Sequence, residues 1–160
     1  MKPLSIAIIA LACIAAIQVR AEDPREMPSY MLMSDDFALR PAAAKDELFF
    51  AYDAKPVAAK LKELGLEFPK SINIAGGALF IVLITDRTSE AFASMSGIPA
   101  DRLLMVDLKA DKEAKPPKAK EGKKPSRVLL ITCPPVKGIK GWEVRSADGK
   151  RAAITAAELK

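Results

Sequence analysis

Apolar residues recur along this chain in short blocks divided by polar, Pro or Gly punctuation, and the blocks predict the elements. The longest block comes first, where Leu4 to Val19 reads LSIAIIALACIAAIQV. Past it, Pro24, Pro28 and Pro41 stand among scattered charges. That pattern predicts an extended arm over 22–46, with one short element near Met31 to Leu39. A body begins at Glu47, where Leu48-Phe49-Phe50-Ala51-Tyr52 has the composition of a short strand. Asp53 is placed to cap a helix over 55–64, with Pro56 in its first turn. Val57, Leu61 and Leu64 recur at i, i+4 and i+7, so one helical face is apolar. Gly65 supplies the left-handed residue that ends such a helix, with Leu66 packing back on it.

A strand is expected at Ile72–Ala75, then a tight turn at Gly76-Gly77. The run ALFIVLI from Ala78 to Ile84 has no polar alternation, which predicts a central strand buried on both faces. Thr85 to Ser89 offers caps for a second helix over 89–96, with Ala91, Phe92 and Met95 on its apolar face and Gly97 ending it. Strands follow at 103–106 and 127–133, the latter stopped by Pro134-Pro135. Strands at 142–145 and 151–154 flank the turn dipeptide Asp148-Gly149. Thr155 and Glu158 are spaced as a capping box, with room for one helical turn at most. Between the fourth and fifth body strands, Lys109 to Ser126 carries Pro116, Pro117 and Pro125 and no large apolar side chain. It reads as a flexible insertion or linker. The order β-α-β-β-α-β, linker, strands predicts an α+β fold of split β-α-β type: a small antiparallel or mixed sheet with two helices on one face. The organisation expected is a leader over 1–21, the arm, and one α+β domain over 47–160 interrupted at 109–126.

The leader changes the functional picture. Lys2, the 16-residue apolar run, small Ala21 and the polar Glu22-Asp23-Pro24 form the three-part pattern of a secretory signal peptide cut between Ala21 and Glu22. A spanning helix needs about 20 apolar residues. A retained anchor and a lipoprotein processed at Cys13 are the other readings of this segment. Export to the periplasm or extracellular space is therefore expected, with no transmembrane span in the mature chain. Processing leaves 139 residues, enough to bury a core without disulfides. It also removes Cys13, so Cys133 is the only mature thiol and is expected to be a small buried apolar residue.

Charge looks informative until it is located. The full chain is +5, and +3 without Lys2 and Arg20. Residues 109–124 alone hold seven Lys against three acids, so the rest is close to neutral. Lys115, Lys118, Lys120, Lys123 and Lys124, with Trp142, are candidate surface-binding residues for an anionic polymer. Their dilution by acids and Pro equally describes a solvated loop, and no specific nucleic-acid reading follows. The chain has no His. That excludes Ser-His-Asp and Cys-His nucleophile systems and His-ligated zinc. Gly76-Gly77 lacks phosphate-loop spacing, and Asp35, Asp36 and Asp53 lack the spacing of a calcium loop. Lys137 to Trp142 mixes basic and aromatic residues as some binding loops do, and equally describes a loop before a strand.

One stretch carries a resemblance. Leu61 to Pro69 (LKELGLEFP), then Ala78 to Val82, then Thr85 to Glu90 (TDRTSE) resemble the β-α-β-β-α modules in the periplasmic N-terminal region of secretins and related ring-forming envelope proteins. The resemblance spans about residues 53–96. It implies a soluble accessory or assembly component that meets partners through sheet edges and helix faces, with no catalytic residues and no cofactor to carry over. The expected function is a non-enzymatic, exported binding or assembly domain with an envelope or extracellular protein as partner. The alternative is a small-ligand binder or carboxylate-dependent enzyme built on Asp86 and Arg87.

Overall fold

The computed structural model describes residues 23–70 and 77–160. The leader, its cut between Ala21 and Glu22, and the strand expected at Ile72–Ala75 lie outside them. Ten strands and one helix follow in order: β1 (Arg25–Met27), β2 (Tyr30–Pro41), β3 (Glu47–Ala51), α1 (Ala54–Glu63), β4 (Leu79–Thr85), β5 (Glu90–Ile98), β6 (Leu103–Ala110), β7 (Lys123–Cys133), β8 (Gly141–Arg145), β9 (Arg151–Ala153) and β10 (Ala156–Glu158). One five-stranded sheet has the order β1-β5-β6-β8-β9, the other β10-β3-β4-β7-β2. Each holds one parallel pair, β6 with β8 and β10 with β3. The expected α+β fold with two helices on one sheet face is therefore corrected: the chain is mostly β, with a single helix.

β4 shows why two sheets and a helix stack. Its residues are buried without exception. Leu79, Ile81 and Leu83 point into a core shared with Phe92 and Met95 of β5, Leu104, Val106 and Leu108 of β6, and Trp142 and Val144 of β8. Phe80, Val82 and Ile84 point the other way, onto Val57 and Leu61 of α1. β7 alternates likewise, with Leu129, Ile131 and Cys133 between the sheets and Val128 and Leu130 beneath the helix. Two-residue periodicity thus feeds two cores from one strand. Each fully buried aliphatic side chain contributes about 1.5–3 kcal/mol. The helix ends are built as expected. The Asp53 side chain accepts from the Lys55 N–H at 2.8 Å. At the other end Gly65 has φ +76°, and the N–H groups of Leu66 and Gly65 return to the carbonyls of Leu61 and Lys62 at 2.9 and 3.0 Å.

The second expected helix, 89–96, is strand β5. The register between β5 and β6 slips between Phe92 and Ser94. A bulge adds one residue to one strand, so residues three apart reach the same face. Phe92 and Met95 both enter the inter-sheet core in this way. Their spacing reads as helical in sequence for that reason. The capping box at 155–158 is also not a helical turn. So short a segment cannot nucleate a helix, and Ala156 to Glu158 instead pairs with Leu48 to Phe50 as β10. The expected linker is shorter than 109–126, because β6 runs to Ala110 and β7 starts at Lys123. Lys123, Lys124 and Pro125 pair with Pro41, Arg40 and Leu39 of β2, while β4 joins β7 only from Arg127. One side of β7 is open there, which is where a strand tolerates Pro.

Arg127 fastens this region. Its side chain is fully buried. It pairs with Asp111 at 2.7 Å, donates to the Glu90 carbonyl at 3.0 Å and lies over the Phe37 ring. Asp111 opens the 111–122 connection, so one buried cation ties that connection to β5 and β7.

Candidate functional site

The far end of β7 differs from the rest of the surface. Pro134-Pro135 cannot donate to a ladder, so β7 stops at Cys133 and residues 134–140 cross to the other sheet. Three large apolar side chains are exposed among the described residues: Tyr30 at 70%, Tyr52 at 43% and Met31 at 39%. All three border this crossing. Tyr30 and Met31 lie opposite Thr132 and Ile131 in the β2–β7 ladder. The Tyr52 hydroxyl donates to the Val136 carbonyl at 2.7 Å. Partial desolvation, with the Glu158 carboxylate nearby, raises the phenol pKa above its ordinary value.

Beside the same crossing is a cleft of about 410 Å³. Met27, Ile98, Leu103, Leu104 and Val136 give it an apolar lining. Leu104 belongs to the inter-sheet core, and Met27 and Val136 pack against it, so the cleft is an opening onto the core at the end of the sandwich. Arg25, Arg102 and Lys137 are its charged residues, and no carboxylate is among the described residues that line it.

A second cleft, of about 630 Å³, lies where β9 leads into β10, between Asp46 and Arg87 on one side and Ala152 to Thr155 on the other. Here the carboxylates and Arg87 are engaged, while the Lys45 ammonium is not paired among the described residues. Asp46 pairs with Arg87 at 2.7 Å and accepts the Asp86 N–H at 2.9 Å. Asp86 pairs with Lys124 at 2.5 Å and accepts the Ser126 hydroxyl at 3.2 Å. Glu47, at the rim, pairs with Arg40 at 3.1 Å. These groups join the turn before β3, the turn after β4 and the start of β7. On the outer face of β6, buried Asp107 accepts the hydroxyls of Ser94 and Ser96 and pairs with Arg145 at 2.8 Å. Both hydroxyls go to Oδ2, and Oδ1 has the Arg145 ion pair but no hydrogen-bond donor among the described residues.

The residues expected to bind are dispersed. Lys115 lines a cavity of about 800 Å³ with Phe37, Asp111, Lys112 and Glu113. Lys118 and Lys120 lie exposed on the 111–122 connection, and Lys123 and Lys124 are strand residues of β7, the latter engaged by Asp86. Trp142 is not a surface residue: it is buried in the inter-sheet core with its ring 5.4 Å from that of Phe50. The loop from Lys137 to Trp142 does reach the apolar cleft, but through Lys137. Of the alternative pair, Arg87 lines the second cleft and Asp86 does not. Cys133 is buried as expected, and burial pushes its thiol up to about 11. Sequence reading missed Tyr30, Tyr52, Arg25 and Arg102. Their one signal is that Tyr30 and Tyr52 each sit next to a chain reversal, the first after Pro28-Ser29 and the second before Asp53.

Fold and surface together define a class, a two-sheet mixed β-sandwich with one covering helix and an open apolar end. No family model, curated protein or solved structure matches the chain.

Proposed function

We propose that this is an exported, non-enzymatic binding or assembly module, and that it meets a partner protein through the Pro134–Lys137 end of the sandwich. One observation carries the reading: the exposed large apolar side chains Tyr30, Met31 and Tyr52 border the same crossing as the apolar cleft. Tyr, Met and Arg are the residues that interface centres favour. Scattered exposed apolar residues need no explanation, but a cluster beside an opening to the core does. Elsewhere the candidate carboxylates are tied into structural pairs, which supports binding over carboxylate chemistry. Export supplies the compartment in which such a partner is met.

The test is cross-linking capture from the producing cell's own envelope and medium. The exported protein retains one discrete partner, a Tyr30→Ser/Tyr52→Ser variant loses it, and a variant lacking residues 112–121 keeps it. Capture that survives the double substitution but disappears with 112–121 removed moves the function to the Lys-rich connection.

A further inference from the structure

The chemistry of the cleft narrows the partner, an inference that rests on the binding reading above. Arg25, Arg102 and Lys137 come from three separate segments: β1, the turn between β5 and β6, and the crossing after β7. All three are exposed, and none forms an ion pair with another described residue. Arg40, Arg87, Lys124, Arg145 and Arg151 each have a carboxylate within 3.1 Å, whereas these three, like Lys45 and the lysines of the 111–122 connection, have none among the described residues. What distinguishes the three is their convergence on one apolar opening with no acid among its described lining residues.

Arg102 is held there against its backbone preference. Its φ is +51°, the one positive value at a non-Gly residue among those described. Such a conformation persists only where the surroundings enforce it. Here its N–H donates to the Pro99 carbonyl at 3.2 Å and its carbonyl accepts the Lys140 N–H at 2.9 Å. Gly138 completes the arrangement. A Cβ at 138 would lie 2.9 Å from Arg102 Nη1, so the guanidinium rests on bare backbone. The turn before β6 and the crossing after β7 are thereby locked together, with the guanidinium at the cleft.

We infer that the cleft receives an extended acidic segment of the partner protein, one apolar side chain entering between Met27, Leu104 and Val136 and flanking carboxylates meeting Arg25, Arg102 and Lys137. A volume of about 410 Å³ suits one or two apolar side chains and falls at the lower end of the range for ligand sites. Three cations on three segments exceed what the single headgroup of a fatty acid engages. Tyr52, exposed, is bonded to the Val136 carbonyl at the cleft's edge, and a ligand enclosed in the cleft leaves it unused. The cleft lining is aliphatic, with no ring on which a nucleobase stacks.

The test is fluorescence anisotropy with a labelled nonapeptide of alternating Glu and Val, titrated with the exported protein. Saturable one-to-one binding is expected, weakening with added salt. A peptide with Lys for Glu, or Ser for Val, binds at least about tenfold more weakly. Arg102→Gln and Lys137→Gln, both at exposed positions, each weaken the Glu-Val peptide about fivefold or more, whereas Asp46→Asn in the other cleft leaves it within about twofold. Laurate and a thymidine oligonucleotide serve as competitors. Equal binding of the Lys peptide, indifference to both cleft substitutions, or saturable binding of laurate or the oligonucleotide while the peptide stays silent overturns the inference. If the peptide fails but partner capture still depends on Tyr30 and Tyr52, only the acidic-segment inference falls. If capture ignores those tyrosines and Arg102 alike, the binding reading falls with it.

Discussion

The cleft at Asp46–Arg87 and the cleft at Arg102–Val136 sit on one scaffold and treat charge in opposite ways. Around Asp46 and Arg87 each carboxylate has a cation or an N–H, and each bond joins two separate parts of the chain. Around Arg102 and Val136 the cations have no described ion-pair partner and the apolar lining opens onto the core. A cleft whose charges satisfy one another is part of the fold's own framework. A cleft whose charges are left over is the one we propose meets a partner. Substitutions therefore separate the two: changes in the paired region lower stability, and changes at the open end lower partner affinity and leave stability nearly untouched.

The largest expected effect belongs to Arg127, the most buried member of the paired set. Arg127→Ala removes the Asp111 ion pair and leaves the Glu90 carbonyl without its buried donor, and a stranded buried acceptor alone costs about 1–3 kcal/mol. Urea unfolding measures it. Acid sharpens the same point. The Arg127 guanidinium holds the Asp111 carboxyl below the ordinary carboxylate range. A depressed folded pKa means that the unfolded chain binds more protons. The contribution is present above the ordinary value near pH 4 and is lost as pH falls through the folded pKa. Asp111→Asn therefore flattens the acid limb of a stability profile taken below about pH 4. Next comes Asp46→Asn. Arg87 and Asp46 are partly exposed, so solvent screening reduces the loss to about 1 kcal/mol. The smallest effect is at the open end. Arg102→Gln shifts unfolding by no more than about 0.5 kcal/mol, since the side chain is exposed. A large loss there would erase the contrast between the clefts.

How far the sequence discloses this architecture differs by element. α1 is legible because its cap, periodicity and terminal Gly agree. β4 is legible because seven apolar residues in succession fit only a strand covered on both sides. β5 is misread because a bulge, a tertiary feature, gives Phe92 and Met95 the spacing of a helix. β10 is misread because a capping box outside any helix is only three ordinary residues. With the second helix lost to the bulge and the terminal turn lost to β10, an α+β prediction stands where a β-sandwich forms. The binding end is less legible still. Arg25, Arg102 and Lys137 are far apart in sequence and meet only because β1 and the β5–β6 turn lie beside the crossing from β7 to β8. Lys-rich composition drew attention to 109–124, where density of charge is high and convergence is absent. The basic and aromatic loop at 137–142 was a better guide, although its Trp turns inward and its Lys does not.

The central claim, that the Pro134–Lys137 end is the partner face, is tested most directly by photo-cross-linking on producing cells. A photoreactive residue is placed in turn at Tyr30, at Tyr52, at Lys118 on the 111–122 connection and at Ala152 beside the paired cleft. Adducts to one partner from positions 30 and 52, and none from 118 or 152, are the predicted result. Adducts from 118 or 152 with silence at 30 and 52 would contradict it.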